Sequence, residues 1–262
     1  MTISTRATAV VGPHRTKNHL YYFDGQGPWP GVTTITRVLD APALTNWKLN
    51  QVAVAAVENA ERLIDDREAG KTDAAVKWLT TLSTSAMDRG QRIHAALESV
   101  LRREPVDVLP EDEPAIAGAR QWLNEKRVRP IAVEGYVLHP AASMVPGADG
   151  KPITLGYGGT FDLICELDGA LTLIDWKTGK SVAWPDGKVY ANHRLQLAAY
   201  ANAAFMAKVG DGTKYDLPVI ERYGIAHVTD GGTRFYDAEV TDLDWTAFRA
   251  ALVLHHWKGR KA

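Results

Sequence analysis

Thr160-Phe161-Asp162-Leu163-Ile164-Cys165-Glu166-Leu167-Asp168-Gly169-Ala170-Leu171-Thr172-Leu173-Ile174-Asp175-Trp176-Lys177 is the stretch that decides the fold. Two apolar runs are joined by Asp168-Gly169, the strongest short-range hairpin signal. With a two-residue turn, Leu167 pairs with Ala170 and the register of the whole hairpin follows. Counting back, Ile164 faces Leu173, Leu163 faces Ile174, Phe161 faces Trp176 and Asp162 faces Asp175. Directly opposed residues have Cβ atoms roughly 4.5–5.5 Å apart. Two carboxylates so placed, on strands apolar on both faces, repel in a poorly hydrated site. Either one carries a proton or a cation sits between them. Strand alternation puts Lys177 on the face of Asp175. A lone Asp-x-Lys is most often a surface ion pair, but the hairpin register adds independent geometry. Two opposed acids beside a lysine suit a divalent metal, with the lysine placing a water and meeting phosphate charge.

Outward from the hairpin, periodicity organises the rest. His19 to Phe23 reads as a short aromatic strand closed by Asp24-Gly25, and Pro28-Trp29-Pro30-Gly31 as a break. From Thr33 to about Arg129 the pattern is helical. Thr33-Thr34-Ile35 can open a helix, and Ala43 to Leu63 is rich in Ala, Val and Leu. Ser85-Ala86-Met87-Asp88 reads as a helix start, and Glu113 to Arg127 as a further helix ending before Pro130. Ile131 to His139 reads as a strand and Pro140 to Gly158 as a Pro/Gly-bearing loop. Asn192 to Val209 reads as a helix, Val219 to Thr229 and Thr233 to Val240 as a second strand pair, and Asp242 to Trp257 as a closing helix. The order is a helical N-terminal half followed by β-β-β-α-β-β-α, an α/β or α+β architecture. Residues 1–82 form a strand/turn and helical region packed on a core of residues 83–262, one compact unit.

Composition narrows the class. The chain has 262 residues, 45% hydrophobic and 23% charged, which excludes disordered and fibrous chains. Thirty basic against thirty-one acidic residues give a formal charge of −1, so any nucleic-acid binding rests on a local cleft, not a bulk basic field. Cys165 alone cannot form a disulfide framework, a four-thiolate zinc site or a four-cysteine iron–sulfur cluster. The N-terminal residues lack an apolar signal core, and no apolar run is long enough to span a bilayer. The expectation is a cytoplasmic protein with no membrane partner.

Other polar residues fall at costly positions. His94 lies one turn after Gly90 and one before Leu97, on the apolar face of its helix; such a histidine is more often a satisfied core residue than a ligand. Glu134 interrupts Ile131-Ala132-Val133-Glu134-Gly135-Tyr136-Val137-Leu138, where an unpaired acid is expensive. Gln196 and Tyr200, four apart, stack on one helix face, either capping the sheet or touching phosphate or base.

Gly90-Gln91-Arg92-Ile93-His94, Glu134, Gly159-Thr160-Phe161-Asp162, Asp175-Trp176-Lys177-Thr178-Gly179-Lys180 and Gln196-Leu197-Ala198-Ala199-Tyr200 occur in that order. The chain resembles the RecB-like branch of the PD-(D/E)XK nuclease superfamily, especially small stand-alone bacteriophage exonucleases. The N-terminal Pro30-Gly31-Val32-Thr33-Thr34-Ile35 is similar to the start of such phage proteins. The resemblance implies a restriction-endonuclease-like α/β core, a central mixed sheet flanked by helices, with a helical N-terminal region. It implies that His94, Asp162, Asp175 and the backbone carbonyl of Trp176 bind metal directly, that Glu134 reaches the metal directly or through water, and that Asp162, Asp175, Lys177 and Glu134 are catalytic. It further implies that Gln196 and Tyr200 support the site and the bound strand.

The implied reaction is hydrolysis of DNA phosphodiesters in processing or recombination, with one or two Mg²⁺ or Mn²⁺ ions and no iron–sulfur cluster. The substrate would be DNA, as linear ends, single- or double-stranded. A homo-oligomer or a recombination partner stays open, and a phage-encoded chain would work in host cytoplasm. Arg92, Lys180 and Arg194 are candidate DNA contacts, with Arg89, Lys188 and the basic tail from Lys258. Trp184 and Tyr190 can stack on bases of a frayed strand or serve packing. Adjacent His255 and His256 do not share a helix face and have no assigned role. Two other readings remain: an inactive DNA-end-binding accessory protein of the same fold, and a metal-dependent phosphohydrolase of small substrates. The first has no need for two facing acids.

Overall fold

A computed structural model describes residues 13–39, 42–82, 84–147, 149–179, 181–208 and 213–259. A small antiparallel sheet opens the chain, with β1 (His14–Arg15), β2 (Leu20–Phe23) and β3 (Gln26–Pro30) in that order. The helices α1 (Val32–Thr36), α2 (Pro42–Glu58), α3 (Ala60–Glu68), α4 (Thr72–Leu82), α5 (Thr84–Arg102) and α6 (Glu113–Glu125) follow. The second half carries β4 (Arg129–Pro146), β5 (Pro152–Leu167), β6 (Ala170–Lys177), α7 (Ala191–Ala201), β7 (Phe205–Ala207), β8 (Arg222–Thr229), β9 (Gly232–Asp237) and α8 (Asp242–Gly259).

The large sheet has the order β7-β4-β5-β6-β8-β9. All its pairs are antiparallel except β6 with β8, so the sheet is mixed. A parallel pair needs a crossover, which the chain makes through α7 and the far-edge strand β7. Asp168 (φ 52°) and Gly169 (φ 83°) both occupy the left-handed region. That is what a two-residue turn matching strand twist requires. Leu167 pairs with Ala170, and the ladder runs to Leu163–Ile174 in the register set by the turn.

Two apolar layers enclose the sheet. On one side Ile164, Leu173 and Ile225 meet Leu197 and Ala199 of α7 and Phe248 and Leu252 of α8. On the other, Leu163, Cys165, Ile174, Trp176 and Ala226 meet Ile93 and Leu97 of α5 and Ile116, Ala119 and Trp122 of α6. Alternate strand residues thus feed opposite layers, each fully buried large side chain contributing about 1.5–3 kcal/mol. Trp122 meets Trp176 edge-on at 6.0 Å and stacks on Phe235 at the same separation. Helix α5 approaches the end of β6 at Gly90, where a Cβ would come within 2.9 Å of Thr178 Oγ1. Asp112 precedes α6 but does not cap it; its carboxylate accepts Arg89 Nε (3.0 Å) and Arg92 Nε (2.7 Å), tying α5 to α6.

Three expectations are corrected. Pro140 to Gly158 is not a loop but the far arms of β4 and β5, paired through Ser143–Leu155, Met144–Thr154 and Val145–Ile153. A register shift between His139 and Ser143 accommodates Pro140, which has no N–H for the ladder. The helix from Asn192 ends at Ala201: the Asn202 side chain donates to Ala198 O (2.9 Å), and Phe205–Ala207 then pair with Tyr136–Leu138. Val209 lies outside the described residues. Pro28 and Pro30 do not break the first strand pair, because β3 is an edge strand, where proline is tolerated. Among the described residues no helix is long and apolar enough to cross a membrane.

Candidate active site

Three acids stand in a row across β4, β5 and β6. The β4–β5 register is unshifted from Val133–Leu163 to Gly135–Phe161, so Glu134 stands opposite Asp162. The β5–β6 ladder ends at Leu163–Ile174, and Asp162 and Asp175 follow directly on the two strands at its open end. Asp162 Oδ2 accepts the Trp176 amide (2.7 Å). Asp162 is 9% exposed and Asp175 2%. Glu134 adopts φ 49°, in the left-handed region that a non-glycine strand residue rarely occupies.

The row is reached from both sides. From α5, His94 Nδ1 lies 3.6 Å from Asp162 Oδ1. From α7, Gln196 Nε2 donates to Asp175 Oδ1 and to the Tyr200 hydroxyl, both at 2.8 Å. Lys177 Nζ donates to Gln196 Oε1 (3.3 Å) and lies against Asp175 Oδ2. That oxygen is buried, with the Lys177 ammonium as its ion-pair partner. Gly159 lets Tyr200 close over β5, since a Cβ there would meet Tyr200 Cε1 at 2.6 Å.

Burial dominates the electrostatics. It pushes the Asp175 carboxyl up to about 6 despite Lys177, with the Asp162 charge adding to the rise. Burial, then the charges of Asp162 and Glu98, push Glu134 up to about 8. At Asp162 burial works the same way, but His94, Lys177 and the Trp176 amide outweigh it and hold the group below its ordinary value. His94 in turn is raised, Asp162 overcoming the cost of burying its charge. Burial and then Lys177 drop His193 to about 3, so it is a neutral imidazole. The row therefore holds more negative charge at neutral pH than its dehydrated setting favours.

The donors fit a hard divalent cation in kind: carboxylate oxygens of Glu134, Asp162 and Asp175 from neighbouring strands, the last two buried. Among the described residues no three His, Cys, Asp or Glu side chains close on one point as a finished cage. The acids are presented as a row, with Lys177 against Asp175.

Other sequence candidates are placed differently. Arg92 is paired with Asp112 (2.7 Å) and Glu111 (3.5 Å), and Arg89 with Asp112 (3.0 Å) and Asp230. Arg194 bonds Asp244 (3.2 Å) and Val189 O (3.0 Å). These guanidiniums already have acidic partners from other elements. Lys180 lies outside the described residues. Sequence reasoning missed two groups. His193 precedes Gln196 by one turn, and the spacing His193, Gln196, Tyr200 was a legible signal. Arg15 sits opposite Tyr21, which packs on Tyr136 (5.9 Å) and bonds Thr160 (3.1 Å). It is near enough for its charge to favour ionisation of Glu134. No local pattern marked it.

A row of strand-borne acids beside a lysine, backed by a Gln/Tyr pair on the following helix, defines a class. The chain belongs to the PD-(D/E)XK nuclease superfamily, whose family model matches residues 69–223, more than half of its length. Nucleases of this superfamily generally use divalent metals. Among individual proteins, the chain is similar to the human mitochondrial genome maintenance exonuclease 1. The two are 28% identical over 166 residues, 60% of this chain and 42% of that protein. The chain thus matches less than half the length of this curated relative. The solved structure of SSO0001 aligns over 90% of this chain and 79% of its own, at 14% identity and a TM-score of 0.42.

Proposed function

We propose that the chain is a metal-dependent deoxyribonuclease of the RecB-like branch, acting as an exonuclease on linear DNA in phage-type processing or recombination. The observation that carries this reading is the buried Asp162–Asp175 pair, with Lys177 against Asp175 Oδ2 and tied to Asp175 through the Gln196 amide. A fold kept only for binding gains nothing from burying two facing carboxylates, which costs stability. The human relative is an exonuclease by name, which supports the same direction.

In this reading Asp162, Asp175 and the Trp176 carbonyl hold the ion, with His94 beside Asp162, and Glu134 reaches it directly, through water or through a second ion. Mg²⁺ suits the oxygen donors, and the His94 imidazole makes Mn²⁺ competitive. When bound, the ion supplies a lowered water pKa and neutralises phosphate charge. Lys177 orients or deprotonates the attacking water and meets charge developing on the phosphate. Gln196 fixes Lys177 and Asp175 relative to each other through opposite ends of one amide, and Tyr200 fixes Gln196. Arg15 offers a positive charge at the Glu134 end of the row.

The test is incubation of end-labelled linear and closed-circular DNA with EDTA, Mg²⁺ or Mn²⁺, beside Asp175→Ala. Metal-dependent loss of linear DNA alone, absent in the variant, is the expected result. Cutting of the circle would replace exonuclease with endonuclease. Absence of cleavage with every metal would overturn the catalytic assignment.

A further inference from the structure

Between β6 and α7 the chain makes a small hairpin that the catalytic assignment does not use. Ala183 bridges Val189, Trp184 N donates to Lys188 O (2.9 Å), Gly187 N to Trp184 O (2.8 Å), and Lys188 N to Asp186 Oδ1 (3.0 Å). Its base is anchored by buried Val182, Ala183 and Val189. Ser181 Oγ accepts the Tyr190 hydroxyl (2.9 Å) and donates to Ala183 O (2.8 Å). The tip is therefore built rather than loose, yet it presents Trp184 58% exposed. A tryptophan kept for packing would bury its indole; this one is held out on a braced support.

From Trp184 the rings descend toward the acid row. Trp184 meets Tyr190 edge-on at 5.0 Å, and Tyr190 lies 6.1 Å from His193 at 32°. His193 is in the first turn of α7, one turn before Gln196, and its neutral imidazole lies close to Lys177. The aromatic steps are thus continuous with the residues that hold Lys177 and Asp175.

We propose that Trp184, Tyr190 and His193 form a stacking platform for unpaired bases of a DNA strand whose phosphate lies at the acid row. This deepens the nuclease reading and rests on it, since it makes single-stranded DNA the preferred substrate. Only unpaired bases can follow the steps: inside a duplex both faces of every base are already covered, and a rigid duplex end offers one face only. Stacking on aromatic side chains is sequence-tolerant, as non-specific degradation needs.

The experiment measures single-turnover cleavage of 5′-fluorescein dT20 and of a blunt 20-base-pair duplex in Mg²⁺ and Mn²⁺, by wild type, Trp184→Ala and Trp184→Phe. Losing one stacked base is expected to raise the half-saturating protein concentration for dT20 about 5- to 150-fold, with the maximal rate kept. Trp184→Phe should recover part of that loss, and the duplex should change less than about twofold. Thermal unfolding of Trp184→Ala should match wild type, since the indole is exposed. Unchanged cleavage of dT20 by Trp184→Ala, an equal loss on both substrates, or wild type cleaving duplex but not dT20 would each overturn the platform while leaving the nuclease standing. Wild type cleaving neither would overturn the nuclease reading and the platform with it.

Discussion

Asp175→Asn should make the metal-free protein more stable while removing its activity. The Asp175 carboxyl rises from 3.8 to about 6 on folding, mainly through burial, and that value is already net of Lys177. A rise of one pH unit corresponds to about 1.36 kcal/mol, so the ionised side chain opposes folding by on the order of 3 kcal/mol well above pH 6. The direction follows from linkage. A carboxyl raised in the folded state supports folding below its ordinary value and withdraws that support as pH rises through the folded one. The gap between variant and wild type should therefore be near zero at pH 4 and open between about pH 4 and 7. At pH 8 a chain of this size should show roughly 6–12 °C of difference in Tm. Asparagine keeps the shape, and its Oδ1 can still accept the hydrogen bond from Gln196 Nε2. The assay is thermal unfolding followed by circular dichroism in EDTA, from pH 4 to 8.5. A variant less stable than wild type at pH 8, or a gap independent of pH, would refute the reasoning.

Lys177→Met should lower the cleavage rate at least 100-fold with the fold retained, measured by single-turnover assay and circular dichroism. Millimolar Mg²⁺ or Mn²⁺ should stabilise wild type by about 2.7 kcal/mol at 100 times Kd, read as a rise in Tm, and leave a double Asp162→Asn, Asp175→Asn variant unmoved; equal shifts in both would place the ion elsewhere. Gly159→Ala drives a methyl to 2.6 Å from Tyr200 Cε1 and 3.0 Å from Val32 Cγ2, which should cost about 1–3 kcal/mol in urea unfolding and slow cleavage through Gln196. Asp112→Asn should cost about 1–3 kcal/mol at pH 7. Hydrogen bonds from Arg92 and Arg89 hold the Asp112 carboxyl below its ordinary value, so its support is present above that value and fades as pH falls through the lowered one. Urea titrations at pH 7 and 3 check this.

What the sequence made legible was local. Asp168-Gly169 admits one pairing, and from it the facing of Asp162 and Asp175 follows by counting. The α7 stripe is likewise a matter of 3.6-residue spacing. What stayed hidden depends on pairings between distant segments. The opposition of Glu134 to Asp162 is set by a long hairpin whose turn lies near Gly147, where Gly147 N donates to Lys151 O (2.9 Å), and whose arms hold enough Pro and Gly to read as loop. Strand β7 is three residues long, too short for any periodicity, and exists because β4 offers it an edge. Arg92 and Arg194 look free in one dimension; only the fold brings Asp112 to Arg92 and Asp244 to Arg194.

The lone thiol has a use that chemistry did not give it. Cys165 is fully buried in β5, three residues from Asp162, and burial pushes its thiol up to about 12. A protonated, sealed thiol is inert to alkylating reagents until its strand parts from the helical layer. The rate at which an excess of reagent consumes Cys165 thus counts how often the central strand breathes open. A ligand seated on the acids can be timed by how far it slows that clock, with no label added to the chain.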